Sequence, residues 1–182
     1  SVEVRERISR PAPEGFIKDS NKWVIFPRLS NANHKMIEER LPVIGADLSG
    51  YRFNRLHREA GESCKKGVIT HGISYEFVME ALKGYEGVRV LKVATPNPTP
   101  EPLLLSFMDG LDTALAVEEL DPVLETELLV LCGRHHLAAE VYGKLTGHVQ
   151  RAGENSVESV RKVLVNYLGQ PFRSEEHTSE LQ

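Results

Sequence analysis

The sequence predicts an α/β fold, an open and mainly parallel sheet with flanking helices, preceded by an extended arm. Two observations support this prediction. From Lys66 onward, short apolar segments alternate with longer segments whose apolar residues recur every three or four positions, as in alternating strands and helices. The segment at residues 88–93 carries apolar residues on both faces, as expected of a strand buried between two helical layers.

Composition restricts the class of protein. The 182 residues are 41% hydrophobic and carry a formal net charge of -4, which is typical of a globular domain and disfavours nucleic acid as a partner. No apolar run approaches the roughly 20 residues that cross a bilayer, and residues 1–10 lack the apolar core of a signal peptide. We therefore expect a cytoplasmic protein without membrane contact, whose two cysteines, Cys64 and Cys132, are reduced buried thiols.

The first 65 residues are expected to form a terminal strand and a linker arm. Residues 1–10 alternate apolar and charged side chains with the period of a strand, which suggests the end of a domain whose body is missing. Prolines and glycines interrupt residues 11–65. Only residues 30–41 are predicted to be helical, with Pro42 ending the helix.

Four strand–helix repeats are expected next, from residue 66 to residue 172. The strands are predicted at residues 68–70, 88–93, 113–117 and 140–142. The helices are predicted to start at the capping residues Ser74, Thr99, Asp121 and Asn155 and to end before Gly84, Gly110, Gly133 and Gly169. Strands that alternate with helices in this way pair in parallel.

Ligands of open parallel sheets gather beyond the carboxyl ends of the strands. Three loops are expected at this edge, at residues 70–72, 95–97 and 118–119. In the first loop, Thr70, Gly72 and Ser74 open a helix whose backbone N–H groups could receive a phosphate or carboxylate, including one from CoA. The sequence contains neither GxGxxG nor a P-loop, so an ordinary strand-to-helix turn remains the alternative.

The other polar residues predict no catalytic or metal site. Glu118 and Glu119 are neighbours on a strand, so their side chains point to opposite faces and we expect structural roles for them. His135 and His136 are adjacent rather than spaced as ligands on a helix, and no cysteine cluster supplements them. His71 is the histidine nearest a ligand edge, and we expect it to be solvated.

Several strings occur in an order and spacing that is specific when they are taken together. They are GFIKD at residues 15–19, FNR at 53–55, VITHGISY at 68–75, VLKV at 90–93, AVEELDP at 116–122, Gly143-Lys144 and Gly153-Glu154. Together they resemble the alpha subunit of indolepyruvate:ferredoxin oxidoreductase over nearly all of residues 1–169. The resemblance identifies residues 1–10 as the last strand of a truncated pyrimidine-type thiamine diphosphate domain, and residues 66–172 as a transketolase-C-terminal-like domain.

The resemblance also implies a reaction, cofactors and partners. The family oxidatively decarboxylates indolepyruvate or other aryl pyruvates to an acyl-CoA, with ferredoxin as electron acceptor. Its cofactors are thiamine diphosphate, Mg²⁺ and 4Fe–4S clusters, and its partners are a beta subunit, ferredoxin, CoA and the other domains of the same chain. The motifs that bind these cofactors have no counterpart in this sequence, so we expect an inactive internal fragment that binds no cofactor by itself.

Two alternatives stay open at this point. The chain could be the equivalent domain of another 2-oxoacid oxidoreductase or a transketolase-like enzyme, or it could be a stand-alone module that binds a nucleotide or CoA. In every case residues 173–182, RSEEHTSELQ, are expected to carry no function, because a common sequencing adapter translated in frame gives the same string.

Overall fold

The computed structural model describes residues 11–23, 26–58 and 64–169. The strand expected at residues 1–10 and the adapter-like tail at residues 173–182 lie outside the described residues. None of the helices in the described part of the chain is both long and apolar enough to cross a membrane.

The chain divides into two compact units, Ser1–Arg40 and Leu41–Gln182. The first unit contains helix α1 (Ser20–Trp23) and the beginning of helix α2 (Pro27–Leu48). Its described side chains are mostly exposed. The second unit contains the sheet and begins at Leu41. We expected the domain to begin at residue 66.

Helix α2 passes through Pro42, so the end predicted there is wrong. A proline removes one N–H donor from the helix, and this loss does not end the helix when contacts beyond it favour continuation. Gly45 provides such a contact, because it packs so closely on the Thr99 carbonyl oxygen that a Cβ at Gly45 would lie 2.5 Å from it. This close approach holds the last turns of α2 against the loop before α4.

Five strands form one sheet. They are β1 (Arg55–Arg58), β2 (Lys66–Thr70), β3 (Arg89–Lys92), β4 (Thr113–Val117) and β5 (Glu140–Tyr142), in the spatial order β1-β3-β2-β4-β5. The last four are parallel, as predicted, and β1 pairs antiparallel with β3 at one edge. Strand β1 was not predicted, because its sequence, RLHR, offers one apolar side chain in four.

Helices cover both faces of the sheet and confirm the predicted fold class. They are α3 (Gly72–Ala81), α4 (Glu101–Met108), α5 (Val123–His135) and α6 (Val157–Leu168). Val68 belongs to a core with α3 and α6, whereas its neighbour Ile69 belongs to a second core with α4 and α5. Both residues are fully buried, which explains why β2 is apolar on both faces.

The helix starts differ from the predicted ones. The observed N-caps of α3 to α6 are His71, Pro100, Pro122 and Ser156. Two of the predicted caps are engaged elsewhere: Ser74 Oγ accepts a hydrogen bond from Asn155, and Thr99 Oγ1 donates to the carbonyl of Pro96. Helix α5 also continues past Gly133, where we predicted its end, and stops at His136, whose φ is 53°.

Candidate binding site at the carboxyl edge of the sheet

Strands β2 and β4 lie side by side where the direction of chain progression reverses. From β2 the chain moves outward to β3, and from β4 it moves the other way to β5. The connecting helices α3 and α5 pack on opposite faces of the sheet. In open parallel sheets, the crevice at the carboxyl ends of two such strands is the usual place for a ligand.

Glu118, directly after β4, closes one side of this crevice. Its side chain is fully buried, and its two carboxylate oxygens accept hydrogen bonds from the backbone N–H groups of Leu124 at 2.9 Å and Glu125 at 3.0 Å. These N–H groups belong to the first turn of α5, which has no side-chain cap at Pro122. Glu118 therefore satisfies two free donors and places a negative charge at the positive end of the helix dipole.

The side chain of Glu119 forms its hydrogen bond on the opposite face of the sheet from Glu118. Its Oε1 accepts a hydrogen bond from the backbone N–H of Asn155 at 2.9 Å. The side-chain amide of Asn155 donates to Ser74 Oγ at 3.1 Å and to the Glu118 carbonyl at 3.4 Å, so it ties the start of α6 to α3 and β4. The two carboxylates therefore have different hydrogen-bond donors, although Asn155 also contacts the backbone carbonyl of Glu118.

The structure places Thr70, Gly72 and Ser74 together on the turn from β2 to α3. Thr70 is fully buried, and no hydrogen-bond partner contacts its Oγ1 in the described part of the chain. Gly72 adopts a φ of 56° as the first residue of α3, a conformation that favours glycine. Ser74 is 1% exposed. Binding of an anion by this turn stays a prediction.

His71 lies closer to Glu118 than the sequence indicated. Its Nε2 lies 3.5 Å from Glu118 Oε2, and 27% of its side chain is exposed, so it is not the solvated loop histidine that we expected. The parallel register explains the proximity. Thr70 pairs with Val117, and the next residue of each strand therefore falls at the same level on the same face.

The residues present do not fit a 4Fe–4S cluster, one of the cofactors that the family resemblance implies. A 4Fe–4S cluster is held by four thiolates, whereas the chain has two cysteines. Cys64 Sγ contacts two backbone carbonyl oxygens, and burial raises the pKa of the Cys132 thiol. No group of three or more metal-ligating side chains occurs among residues 11–23, 26–58 and 64–169.

Sequence comparison relates the chain to a named enzyme subunit. It is 35% identical over 156 residues to the indolepyruvate oxidoreductase subunit IorA of Thermococcus kodakarensis, and 30% identical over 172 residues to the same subunit of Methanothermobacter thermautotrophicus. These matches cover 85% and 93% of this chain but 24% and 28% of the two subunits. The chain thus spans about a quarter of the length of the curated relatives it matches. No protein-family model matches it.

Structural comparison supports the same fold. A 2-oxoglutarate:ferredoxin oxidoreductase from Magnetococcus marinus superposes with a TM-score of 0.51 at 16% identity, over 78% of this chain and 23% of that chain. At this identity the likeness shows the fold alone. The sequence matches carry the relationship: over most of its length, this chain is homologous to a segment of the indolepyruvate oxidoreductase IorA subunits.

Proposed function

We propose that this chain is a non-catalytic domain of the large subunit of an indolepyruvate:ferredoxin oxidoreductase. In this proposal the complete enzyme, located in the cytoplasm, oxidatively decarboxylates indolepyruvate or another aryl pyruvate, forms an acyl-CoA and passes the electrons to ferredoxin. The single observation that supports the proposal is the sequence similarity to IorA subunits across 85% and 93% of the chain.

The side chains at the carboxyl edge of the sheet support a structural role. Glu118 and Glu119 accept hydrogen bonds from backbone N–H groups, and Glu125 does the same for Leu145 at 2.9 Å. These hydrogen bonds hold the carboxylates against the chain's own backbone, and none of them belongs to a group of three or more potential metal ligands in the described part of the chain. In the proposed enzyme, thiamine diphosphate and the iron–sulfur clusters therefore belong to other segments, and these cofactors supply the chemistry.

Within this proposal, residues 11–65 serve as the arm and residues 66–172 as a transketolase-C-terminal-like spacer between cofactor domains. The turn with Thr70, Gly72 and Ser74 is the candidate contact for an anionic group such as a phosphate of CoA. Its support is the first turn of α3 together with the buried Thr70 hydroxyl that lacks a partner among the described residues.

The proposal is tested with the complete subunit that contains this sequence, produced anaerobically together with its beta subunit. We expect ferredoxin reduction that depends on indolepyruvate and CoA and yields an acyl-CoA product, detected by mass spectrometry. Pyruvate and 2-oxoglutarate serve as competing substrates. Activity with these alone would assign the chain to another 2-oxoacid oxidoreductase, and a complete protein without any such activity would contradict the proposal.

A further inference from the structure

A small cavity opens between the loop after β4 and the loop after β5. Its volume is about 180 Å³, and it is separate from the turn that carries Thr70 and Ser74. The lining residues are Leu120, Asp121, Pro122, Lys144, Leu145 and Arg151. The cavity therefore combines two cations and one carboxylate with apolar side chains.

Lys144 is a buried cation without a matching anion. The residue is 4% exposed, and its Nζ donates to the Leu120 carbonyl at 2.8 Å. Within the described ranges, no carboxylate oxygen lies within 4.0 Å of this nitrogen, and it makes no second hydrogen bond. Buried charges are normally paired, so an ammonium group with one neutral acceptor and two remaining donors has room for an anion.

Arg151 adds a second positive charge beside Lys144. Its Nε donates to the Lys144 carbonyl at 3.2 Å, so the guanidinium is fixed to the loop and remains exposed to solvent. Asp121 lines the same cavity but forms no ion pair with either cation in the part of the chain that the structure describes. The positive charge therefore exceeds the negative charge around this cavity.

The rim of the cavity is apolar, and one of its leucines has a strained backbone conformation. Leu120 has a φ of 58° and is 86% exposed, and Leu145 is 45% exposed. A leucine in the left-handed region is strained and persists only where its surroundings stabilise it. Here the Leu120 carbonyl accepts the hydrogen bond from Lys144, which helps to hold this conformation. The buried lysine thus holds a leucine outward, as in the apolar contact of a protein interface.

The size of the cavity decides between a small-molecule ligand and a protein side chain. Pockets for cofactors and comparable ligands start at roughly 300 Å³, so a cavity of about 180 Å³ is too small to enclose one. A single carboxylate fits, and the exposed leucines at the rim can then be covered by the surface that carries it. The relatives have a chain about four times longer than the part matched here, which supplies such a surface.

We infer that this cavity receives an aspartate or glutamate side chain from another segment of the complete subunit. The carboxylate pairs with Lys144 and Arg151, while Leu120 and Leu145 pack against apolar residues beside it. This inference rests on the proposed function, because it requires that the chain be part of a longer subunit.

Zero-length cross-linking tests this contact in the complete subunit. A carbodiimide couples a lysine to a carboxylate that touches it, and mass spectrometry identifies the linked peptides. We expect Lys144 to be joined to an aspartate or glutamate outside residues 1–182. The exposed pair Lys162 and Glu158, whose charged atoms are 2.7 Å apart, serves as the internal positive control. Coupling of that pair without any product at Lys144, or with Lys144 joined only to a residue of this chain, would overturn the inference.

Two variants test whether the yield of the Lys144 cross-link depends on the positive charge at the cavity. Arg151→Gln removes the exposed cation at the rim and should lower the yield of the Lys144 cross-link by about fivefold. Lys65→Gln is the matched control, because Lys65 also donates to a backbone carbonyl, that of Gly110, but is exposed and lies outside the cavity lining. An equal effect of both variants would contradict the assignment.

Inorganic phosphate tests for a free anion instead of a protein carboxylate. Saturable phosphate binding to the complete subunit that Lys144→Met abolishes would place a free oxyanion in the cavity and overturn the inference, and absence of such binding supports it. Ferredoxin reduction is measured on the same preparation. If that activity is absent while the cross-link forms, the proposed function fails and the docking contact stands.

Discussion

At the scale of single residues, the loop after β5 is organised around a buried carboxylate. Glu125 is fully buried, its Oε2 accepts the Leu145 N–H at 2.9 Å, and its Oε1 has no hydrogen-bond partner among the described residues. Gly143 lies directly against this carboxylate, and only a residue without a side chain fits there. A Cβ at Gly143 would lie 2.6 Å from Oε2 and 3.0 Å from Oε1.

We therefore expect Gly143→Ala to lower the free energy of unfolding by about 1–3 kcal/mol, the usual cost of inserting a methyl group into a packed site. The matched control is Gly133→Ala within α5, where no atom lies within 4 Å of the new Cβ. Alanine should raise stability there by about 0.5–1 kcal/mol, because glycine is a poor helix former. Urea denaturation of the two variants measures both changes. A Gly143→Ala variant as stable as the parent would disprove the packing argument.

At the scale of elements, β1 carries a histidine whose packing should make this strand sensitive to acid. His57 in β1 contacts the Tyr75 hydroxyl through Nδ1 at 2.9 Å, and the two rings lie 4.8 Å apart. Burial lowers the pKa of His57, and the positive charges of Arg55 and Lys92 lower it further, while Glu76 acts in the opposite direction. The fold therefore disfavours protonated His57.

The lowered pKa of His57 determines whether the stability of the fold rises or falls with pH. The unfolded chain holds a proton on His57 below about pH 6.5, and the folded chain accepts it only at a lower pH. Proton uptake thus favours the unfolded state, and stability should decline as the pH falls below about 6.5 toward the folded pKa. We expect His57→Gln to flatten this decline in denaturation curves recorded between pH 7 and pH 5. His34→Gln, at an exposed position of α2, is the control. An unchanged slope in the His57 variant would refute the assignment.

At the scale of the whole molecule, the described residues form a five-stranded, mainly parallel sheet flanked by helices. The chain has two cysteines, and the carboxylates at the carboxyl edge of the sheet accept bonds from its own backbone. The matched part of the chain covers 24% and 28% of the length of two curated relatives. In the proposed enzyme, such a domain would hold the cofactor domains in place through its contacts with them. Other segments of the subunit would bind the cofactors.

We accordingly expect no micromolar binding when thiamine diphosphate and Mg²⁺ are titrated calorimetrically into the purified chain. Circular dichroism first verifies that the chain is folded, and the complete subunit, titrated in parallel, serves as the positive control. A micromolar complex with the chain alone would show that residues of this domain form a cofactor site, and the proposed spacer role would then be wrong.

The sequence by itself determined most of the elements and the parallel pairing of β2 to β5. Strand β4 was predicted at its observed bounds, as was β5, and glycines at the helix ends, such as Gly110 and Gly169, have positive φ values of 72° and 74°. These features follow from local signals: the period of apolar residues, proline and glycine. The resemblance to the oxidoreductase family was likewise legible from short strings in order, and the sequence matches confirm it.

The tertiary structure alone decided which distant residues meet. It adds β1 to the sheet, carries α2 past Pro42, uses Glu118 to cap α5 and places His71 3.5 Å from that carboxylate. None of these contacts has a local sequence signal, because each depends on the register of strands and on buried hydrogen bonds between segments far apart in the chain. A buried N–H or carbonyl group takes whichever partner the packing brings to it, and packing is a property of the folded molecule.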